Sequence, residues 1–116
     1  MTRVVITGLG CITSCGNSPE ELFNNVCNGK SGLKLVDSND FPFIEPAVIG
    51  IPEFNHNKKR LVGGDTTVSY ILEAADQAIA DAKLTEFGDD VGVFIGNAQG
   101  GVKAMDAGYS ALFLTK

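Results

Sequence analysis

The stretch Arg3–Gly16, RVVITGLGCITSCG, constrains the fold of this chain more than any other part of it. Residues 4–6 are consecutive β-branched side chains, and this pattern predicts a short strand buried on both faces, as in a parallel α/β sheet. Gly8 and Gly10 follow, where they would allow a sharp turn or the close approach of another backbone. We therefore predict an α/β fold that opens with a strand and a glycine turn, in which Gly8 and Gly10 serve the backbone geometry.

A helix is predicted directly after this turn. Ser18 is suited to be its N-cap, Pro19 to be its first residue, and Glu21 to complete a capping box. Asn28-Gly29 supplies a left-handed stop at its end. Its apolar stripe, which we expect to be buried, consists of Leu22, Phe23 and Val26.

The longest helix is predicted from about Asp65, its natural N-cap, to Lys83. Its alanines would allow close approach to a sheet or to another helix, while Glu73, Asp76 and Gln77 lie on the opposite face. The residues of its apolar face recur at helical spacing. They are Val68, Ile71, Leu72, Ala75, Ala78, Ile79 and Ala82.

A second strand-and-turn unit lies near the other end of the chain. The segment VGVFIG, Val91–Gly96, reads as a buried strand, and the small-residue turn NAQGG follows it. A helix is predicted over residues 102–114. The glycines of this unit to which we assign a structural role are Gly96, Gly100 and Gly101.

The intervening residues, 31–60, are more weakly patterned and interrupted by prolines. We interpret them as a surface segment with a short edge strand over 46–50, because proline is tolerated at an edge. Phe41, Phe43 and Phe54 are expected to hold this segment against the body of the protein.

The predicted sheet is too small for an independent domain. Buried parallel strands usually need partners on both edges and helices on both faces. We therefore interpret residues 1–116 as the opening segment of a larger fold, without an internal domain boundary.

Composition excludes several classes of protein. The 116 residues carry a formal charge of −5 and a pI near 4.6, which argues against a nucleic-acid-binding protein, because such proteins need a basic face. No apolar run approaches the roughly 20 residues that span a bilayer. A signal peptide has no room before the first strand. These features predict a cytoplasmic protein without a membrane partner.

The three cysteines, Cys11, Cys15 and Cys27, are expected to be reduced, since their number is odd and no secretory signal precedes them. A tetrahedral zinc site would need further ligands, and His56 is the only histidine. A nucleophilic thiol would need a nearby base, and none is evident. We predict packed thiols, without a metal or cofactor.

Two further motifs have alternative interpretations. The glycine turn resembles a dinucleotide fingerprint, but Thr13 stands where its last glycine should be, and the helix starts too late for its N-terminus to bind a pyrophosphate in that turn. Lys58, Lys59 and Arg60 form the basic cluster of this acidic chain. They are either a solvated surface or a docking patch for an acidic partner or a phosphate.

Four segments together resemble the N-terminal part of the β-ketoacyl-acyl-carrier-protein synthases, the elongating condensing enzymes of the thiolase superfamily. These segments are the opening strand and turn over residues 3–10, the first helix with its exit Gly29-Lys30-Ser31-Gly32, the long alanine-rich helix over 65–84, and the strand 91–96 with Gly100-Gly101. They occur in the family's order and cover nearly the whole chain.

The resemblance implies a five-layered αβαβα thiolase-like fold, usually in a homodimer or a synthase heterodimer. It implies acyl transfer to a cysteine, followed by decarboxylative condensation with malonyl-carrier protein. That chemistry uses an activated thiolate, two histidines and an oxyanion hole. The three cysteines and His56 match none of the family's catalytic motifs, so we predict that this chain alone is inactive.

The resemblance also implies two candidate binding regions. Gln99 stands at the position that lies at the mouth of the family's acyl pocket, and its polarity argues against a standard long aliphatic pocket. Gly63 and Gly64 stand where the family carries a basic pair that docks acyl carrier protein. The nearest basic residues are Lys58, Lys59 and Arg60.

Three functions are therefore open at this point. The first is a segment of a condensing enzyme in fatty-acid or polyketide synthesis. The second is a non-catalytic synthase-like partner of the chain-length-factor type. The third is an unrelated nucleotide-binding α/β domain. A cysteine motif and two histidine motifs after Lys116 would distinguish the first from the second, and a nucleotide titration would test the third.

Overall fold

The computed structural model describes residues 3–37, 39, 45–54 and 65–114. These ranges contain three helices and a two-stranded sheet. In chain order the elements are α1 (Pro19–Cys27), β1 (Leu33–Val36), β2 (Ala47–Gly50), α2 (Thr66–Asp81) and α3 (Val102–Leu114). The three predicted helices are confirmed, and so is the mixed α/β composition.

The start of α1 follows the predicted capping signal with one difference. The Ser18 hydroxyl accepts a hydrogen bond from the Glu21 N–H at 3.2 Å, and Pro19 is the first helical residue. The Glu21 carboxylate, however, accepts from the N–H of Asn17 at 2.8 Å, one residue before the cap. The reciprocal arrangement of a capping box is therefore shifted outward by one residue, and it still satisfies two backbone donors.

The end of α1 is a Schellman motif. Gly29 has a φ of +67°, as predicted for a left-handed stop. Its N–H donates to the Val26 carbonyl at 3.0 Å, and the Lys30 N–H donates to the Asn25 carbonyl at 2.9 Å. These two bonds satisfy carbonyl groups that the helix itself leaves without partners.

Helix α2 is closed at both ends. Asp65 is its N-cap, as predicted, and the carboxylate accepts from the Thr67 N–H at 2.8 Å. At the other end Lys83 takes the left-handed conformation with a φ of 55°, and the Leu84 N–H donates to the Ile79 carbonyl at 3.1 Å. This is the same stop as in α1, formed with a side chain where glycine is usual.

The sheet pairs β1 with β2 in antiparallel order, with Leu33 opposite Gly50 and Val36 opposite Ala47. The edge strand predicted after Pro46 is confirmed as β2. Its partner β1 was missed, because residues 31–60 lack a clear alternation of apolar and polar side chains. Val36 is the one apolar side chain that is buried among the described residues.

Both strands that were predicted from their apolar runs are absent as strands. Residues 4–6 and 91–96 have no ladder partner within the described ranges. Val4 is 93% exposed and Phe94 is 96% exposed. A parallel strand forms only against neighbours on its edges, and the described part of this chain supplies none. The apolar pattern is typical of buried strands, but the described residues contain no strand that pairs with either run.

Other burial predictions also fail. In α1 the side chains of Phe23 and Val26 are exposed, and Leu22 is half-buried. Cys27 is exposed, whereas Cys11 and Cys15 are half-buried. Helix α1 has no described layer against its apolar stripe, so amphipathic spacing alone did not produce a buried face.

The dimensions of the chain agree with this open arrangement. Its accessible surface is 9703 Å², whereas a folded protein of this mass exposes about 6,100 Å². The radius of gyration is 18.0 Å, against about 13 Å for a compact domain of this length. The fold is therefore held by local and polar contacts more than by a core.

The described helices include none that is long and apolar enough to cross a membrane.

We predict that the isolated chain self-associates and melts without a sharp transition, because exposed apolar segments with unpaired backbone favour association. Phe94→Lys should reduce the apparent mass in gel filtration by placing a charge in the apolar segment. Thr85→Lys adds the same charge at an exposed polar position and should not. A monomer with a cooperative melt at high temperature would contradict this prediction.

Candidate functional site

The N-terminal segment is bound along α2 by two side chains of that helix. The Leu9 N–H donates to the Asp81 carboxylate at 2.9 Å, and the Cys11 N–H donates to the Gln77 side-chain oxygen at 3.2 Å. One helical turn of four residues rises about 6 Å, and two residues of extended chain span about 6.6 Å. This match lets side chains at i and i+4 of α2 bind alternate N–H groups of the segment.

Gly8 and Gly10 lie directly on the backbone of α2. A Cβ on Gly8 would overlap the Ala78 carbonyl oxygen and lie 2.7 Å from the Ala82 nitrogen. A Cβ on Gly10 would overlap the Ala74 carbonyl and lie 2.9 Å from the Ala78 nitrogen. Neither glycine has a positive φ, so close approach is what requires glycine at both positions.

A tight turn at residues 13–16 follows this contact. The Thr13 N–H donates to the Gly16 carbonyl at 2.9 Å, and the Thr13 hydroxyl donates to the same oxygen at 2.8 Å. The hydroxyl also accepts from the Cys15 N–H at 3.2 Å. From α1, the Asn25 amide donates to the Cys15 carbonyl at 2.7 Å. Threonine and asparagine therefore satisfy a turn that pairs with no strand among the described residues.

Asn17 connects this turn to three parts of the chain. Its carbonyl accepts from the Gln77 amide at 2.8 Å, and its own amide donates to the Glu53 carbonyl at 2.7 Å. Its N–H donates to the Glu21 carboxylate in α1. A polar hollow of about 200 Å³ lies at this junction. The hollow is lined by Thr13, Ser14, Cys15, Gly16, Asn17, Glu21, Asn25 and Glu53.

The hollow carries little reactive chemistry. Lys34 binds Glu53 in an exposed ion pair, and this bond lowers the pKa of the Glu53 carboxyl. The described residues contain no cluster of histidine, cysteine or carboxylate groups that could hold a metal ion. The side chains here are suited to hold backbone segments together, and a nucleophile with its base is not among them.

The Cys11 thiol is a poor nucleophile. Partial burial raises the pKa of the Cys11 thiol, and the negative charge of Glu21 raises it further. The Cys15 thiol donates to the Lys30 carbonyl at 3.4 Å. A thiol becomes reactive when a positive group or a base favours the thiolate, and Cys11 has the opposite surroundings. His56 lies outside the described residues.

The geometry also argues against nucleotide binding at the glycine turn. The space beside Gly8 and Gly10 is filled by the backbone of α2. The N-terminus of α1, where a phosphate would bind, is capped by Ser18 and carries the carboxylate of Glu21. A pyrophosphate would need both an open turn and free N–H groups.

The second predicted region lies before α3. Gln99 is exposed, Gly101 has a φ of +82°, and a Cβ on Gly100 would lie 3.0 Å from the Asn97 side-chain carbon. Gly96 has open space around it.

The basic cluster, Lys58, Lys59 and Arg60, lies outside the described residues.

Sequence reasoning missed the two side chains that organise this site. Gln77 was predicted on the face opposite the apolar one, and Asp81 was not singled out. The structure turns both toward the N-terminal segment. Their spacing of four residues, beside alanines at the same spacing, was the available signal.

Comparisons with known proteins agree with the resemblance. Residues 1–50 match the family described as beta-ketoacyl synthase, N-terminal domain. The 3-oxoacyl-[acyl-carrier-protein] synthase II of Arabidopsis thaliana chloroplasts is 32% identical over 127 residues, which cover 95% of this chain and 22% of that protein. The corresponding synthase 2 of Coxiella burnetii is 34% identical and that of Vibrio harveyi 31%, each over 95% of this chain and 28% of the relative.

The chain thus spans about a quarter of the length of these curated relatives. No solved structure matches it significantly.

We predict that Gly10→Ala destabilises the packing of the N-terminal segment on α2 by about 1 kcal/mol or more, because a Cβ there meets the backbone of Ala74. Hydrogen exchange at the amide of Cys11 should become correspondingly faster. Gly96→Ala is the matched control, since a Cβ at Gly96 meets no atom within 4 Å. Equal effects of the two substitutions on the Cys11 amide would refute the packing role.

Proposed function

The chain matches the N-terminal portion of the β-ketoacyl-acyl-carrier-protein synthases, and on that basis we propose that it forms part of an enzyme that condenses acyl chains in fatty-acid synthesis. The observation that carries this proposal is the alignment of curated 3-oxoacyl-[acyl-carrier-protein] synthases with 95% of the chain. The four segments that resemble this family occur in the same order along the chain.

The exposed apolar segments support a larger fold. Residues 4–6 and 91–95 carry large apolar side chains that are mostly in solvent. A layered αβαβα fold would cover such segments by pairing them within a sheet under helices. We propose that residues 1–116 are one N-terminal segment of that fold, without an internal boundary.

The reaction proposed for the complete enzyme has two stages. An acyl group first passes from carrier protein to a cysteine thiolate, releasing the carrier thiol and forming a thioester. Malonyl-carrier protein then loses carbon dioxide, and its α-carbon attacks the thioester carbonyl, which releases the cysteine thiolate and leaves a 3-oxoacyl-carrier protein. None of the cysteines in this chain matches the family's nucleophile, and the raised pKa of the Cys11 thiol also argues against a role in this step.

In the complete enzyme, the proposed role of this chain is to contribute to the fold and to the recognition of the acyl chain and the carrier protein. We propose that Gln99 lies at the mouth of the acyl pocket, where a polar side chain disfavours a long aliphatic chain. Acyl carrier protein is the proposed partner. A cytoplasmic homodimer or synthase heterodimer remains a prediction from the family.

A non-catalytic partner of the chain-length-factor type remains the second candidate. These 116 residues hold no matching cysteine and histidine set, and this is compatible with either candidate. The coding sequence after Lys116 distinguishes the two, because a catalyst needs the cysteine turn and both histidine motifs.

The activity test compares this chain with the complete synthase that contains it. We expect no carbon dioxide or 3-oxoacyl product from the chain with acyl- and malonyl-carrier protein, because the covalent route is missing. The complete synthase should turn over, and its Cys11→Ser variant should retain that activity. Turnover by the purified chain alone would overturn the assignment, and an inactive complete synthase would favour the non-catalytic partner.

Docking of carrier protein is tested at the basic cluster. Replacing Lys58, Lys59 and Arg60 with alanine in the complete synthase should raise the KM for acyl-carrier protein at low salt, because attraction between opposite charges accelerates association. The difference should shrink as salt is added. The matched control replaces three exposed cations elsewhere, Arg3, Lys30 and Lys103. If both triple variants give the same KM across the salt series, the cluster is only a solvated surface.

A further inference from the structure

Asp65 is the one charged side chain that is buried among the described residues, with 6% of its surface exposed. Burial of a carboxylate is costly unless hydrogen bonds or favourable charges compensate for lost hydration. One of its oxygens, Oδ1, accepts from the Thr67 N–H at 2.8 Å and so caps α2. This accounts for one of the two carboxylate oxygens.

The second oxygen lies against the start of another helix. A Cβ built on Gly101 would lie 3.5 Å from Asp65 Oδ2, an ordinary van der Waals distance, so the carboxylate lies beside this glycine. Gly101 directly precedes α3, and its carbonyl accepts the Met105 N–H at 2.9 Å. It therefore occupies the N-cap position of α3, but it has no side chain with which to bind the free N–H groups there.

A negative charge at this place interacts favourably with two helix N-termini at once. Each N-terminus carries a partial positive charge from its unpaired N–H groups. The acidic residues of a first turn would normally supply the compensating charge, but the first turns of α2 and α3 contain none. The Asp65 carboxylate, which is the N-cap of α2, places a negative charge beside the start of α3 as well.

We propose that Asp65 is a positioning residue that serves the N-termini of both α2 and α3, and that it thereby sets the position of Gln99 in the turn before α3. Gln99 lies two residues before Gly101, which has a φ of +82°. The part of this proposal that concerns Gln99 rests on the proposed function, and the contact of Asp65 with the turn does not.

Two substitutions in the complete synthase separate the roles of the two oxygens. Asp65→Ser keeps an N-cap for α2 but removes the oxygen that reaches Gly101. Asp65→Asn keeps the shape and the cap but removes the charge. In both variants hydrogen exchange at the amides of 102–105 should become faster by about two- to fivefold, the range expected for a charge near a helix N-terminus. The amides of 67–69, in the first turn of α2, lose the same charge and should also exchange faster, although both variants keep a side-chain N-cap there.

Activity supplies a readout that a merely structural role would not move. In Asp65→Ser the ratio of kcat/KM for short against long acyl-carrier protein should shift at least about threefold, and Asp65→Asn should restore most of the original ratio. An unchanged exchange rate at 102–105 in both variants would overturn the role of Asp65 at α3.

The remaining outcomes separate this inference from the proposed function. An active synthase whose acyl preference is unaltered by Asp65→Ser would overturn the link to Gln99. A complete synthase without condensing activity would overturn the proposed function, and the exchange rates would then decide the role of Asp65 by themselves.

Discussion

The close packing of the N-terminal segment on α2 is the constraint on which the described structure depends. Gly8 and Gly10 bring two backbones within a distance that no side chain would allow. At that distance Gln77 and Asp81 can bind the N–H groups of Cys11 and Leu9, which would otherwise need a neighbouring strand. The glycines and the two polar side chains therefore act together, since neither arrangement is useful without the other.

Polar contacts continue from this packing into the rest of the described fold. Gln77 also binds the Asn17 carbonyl, and Asn17 in turn contacts α1 and the segment after β2. Such bonds contribute about 1 kcal/mol each, and they specify positions more than they supply stability. The apolar side chains that would supply stability in a complete domain are largely in solvent, which agrees with a segment of a larger protein.

This arrangement bears on the proposed enzyme in a specific way. The N-terminal segment and α2 form a scaffold, and the turn that carries Gln99 ends at Gly101, beside the buried carboxylate of Asp65. If Gln99 serves the acyl pocket as proposed, its position depends on the end of a helix that is remote from it in sequence. Precise positioning of binding groups generally requires such support from packed elements.

The sequence by itself determined the helices, because their caps and stops are local: Ser18 and Asp65 begin two of them, and Gly29 ends one. It also carried the family resemblance, which the comparisons confirm. Only the tertiary structure decided whether the apolar runs at residues 4–6 and 91–96 form strands, since a strand requires partners that its own residues cannot specify. Gln77 shows the same limit: its place on a helix was predictable, but the backbone that it binds lies 66 residues away along the chain.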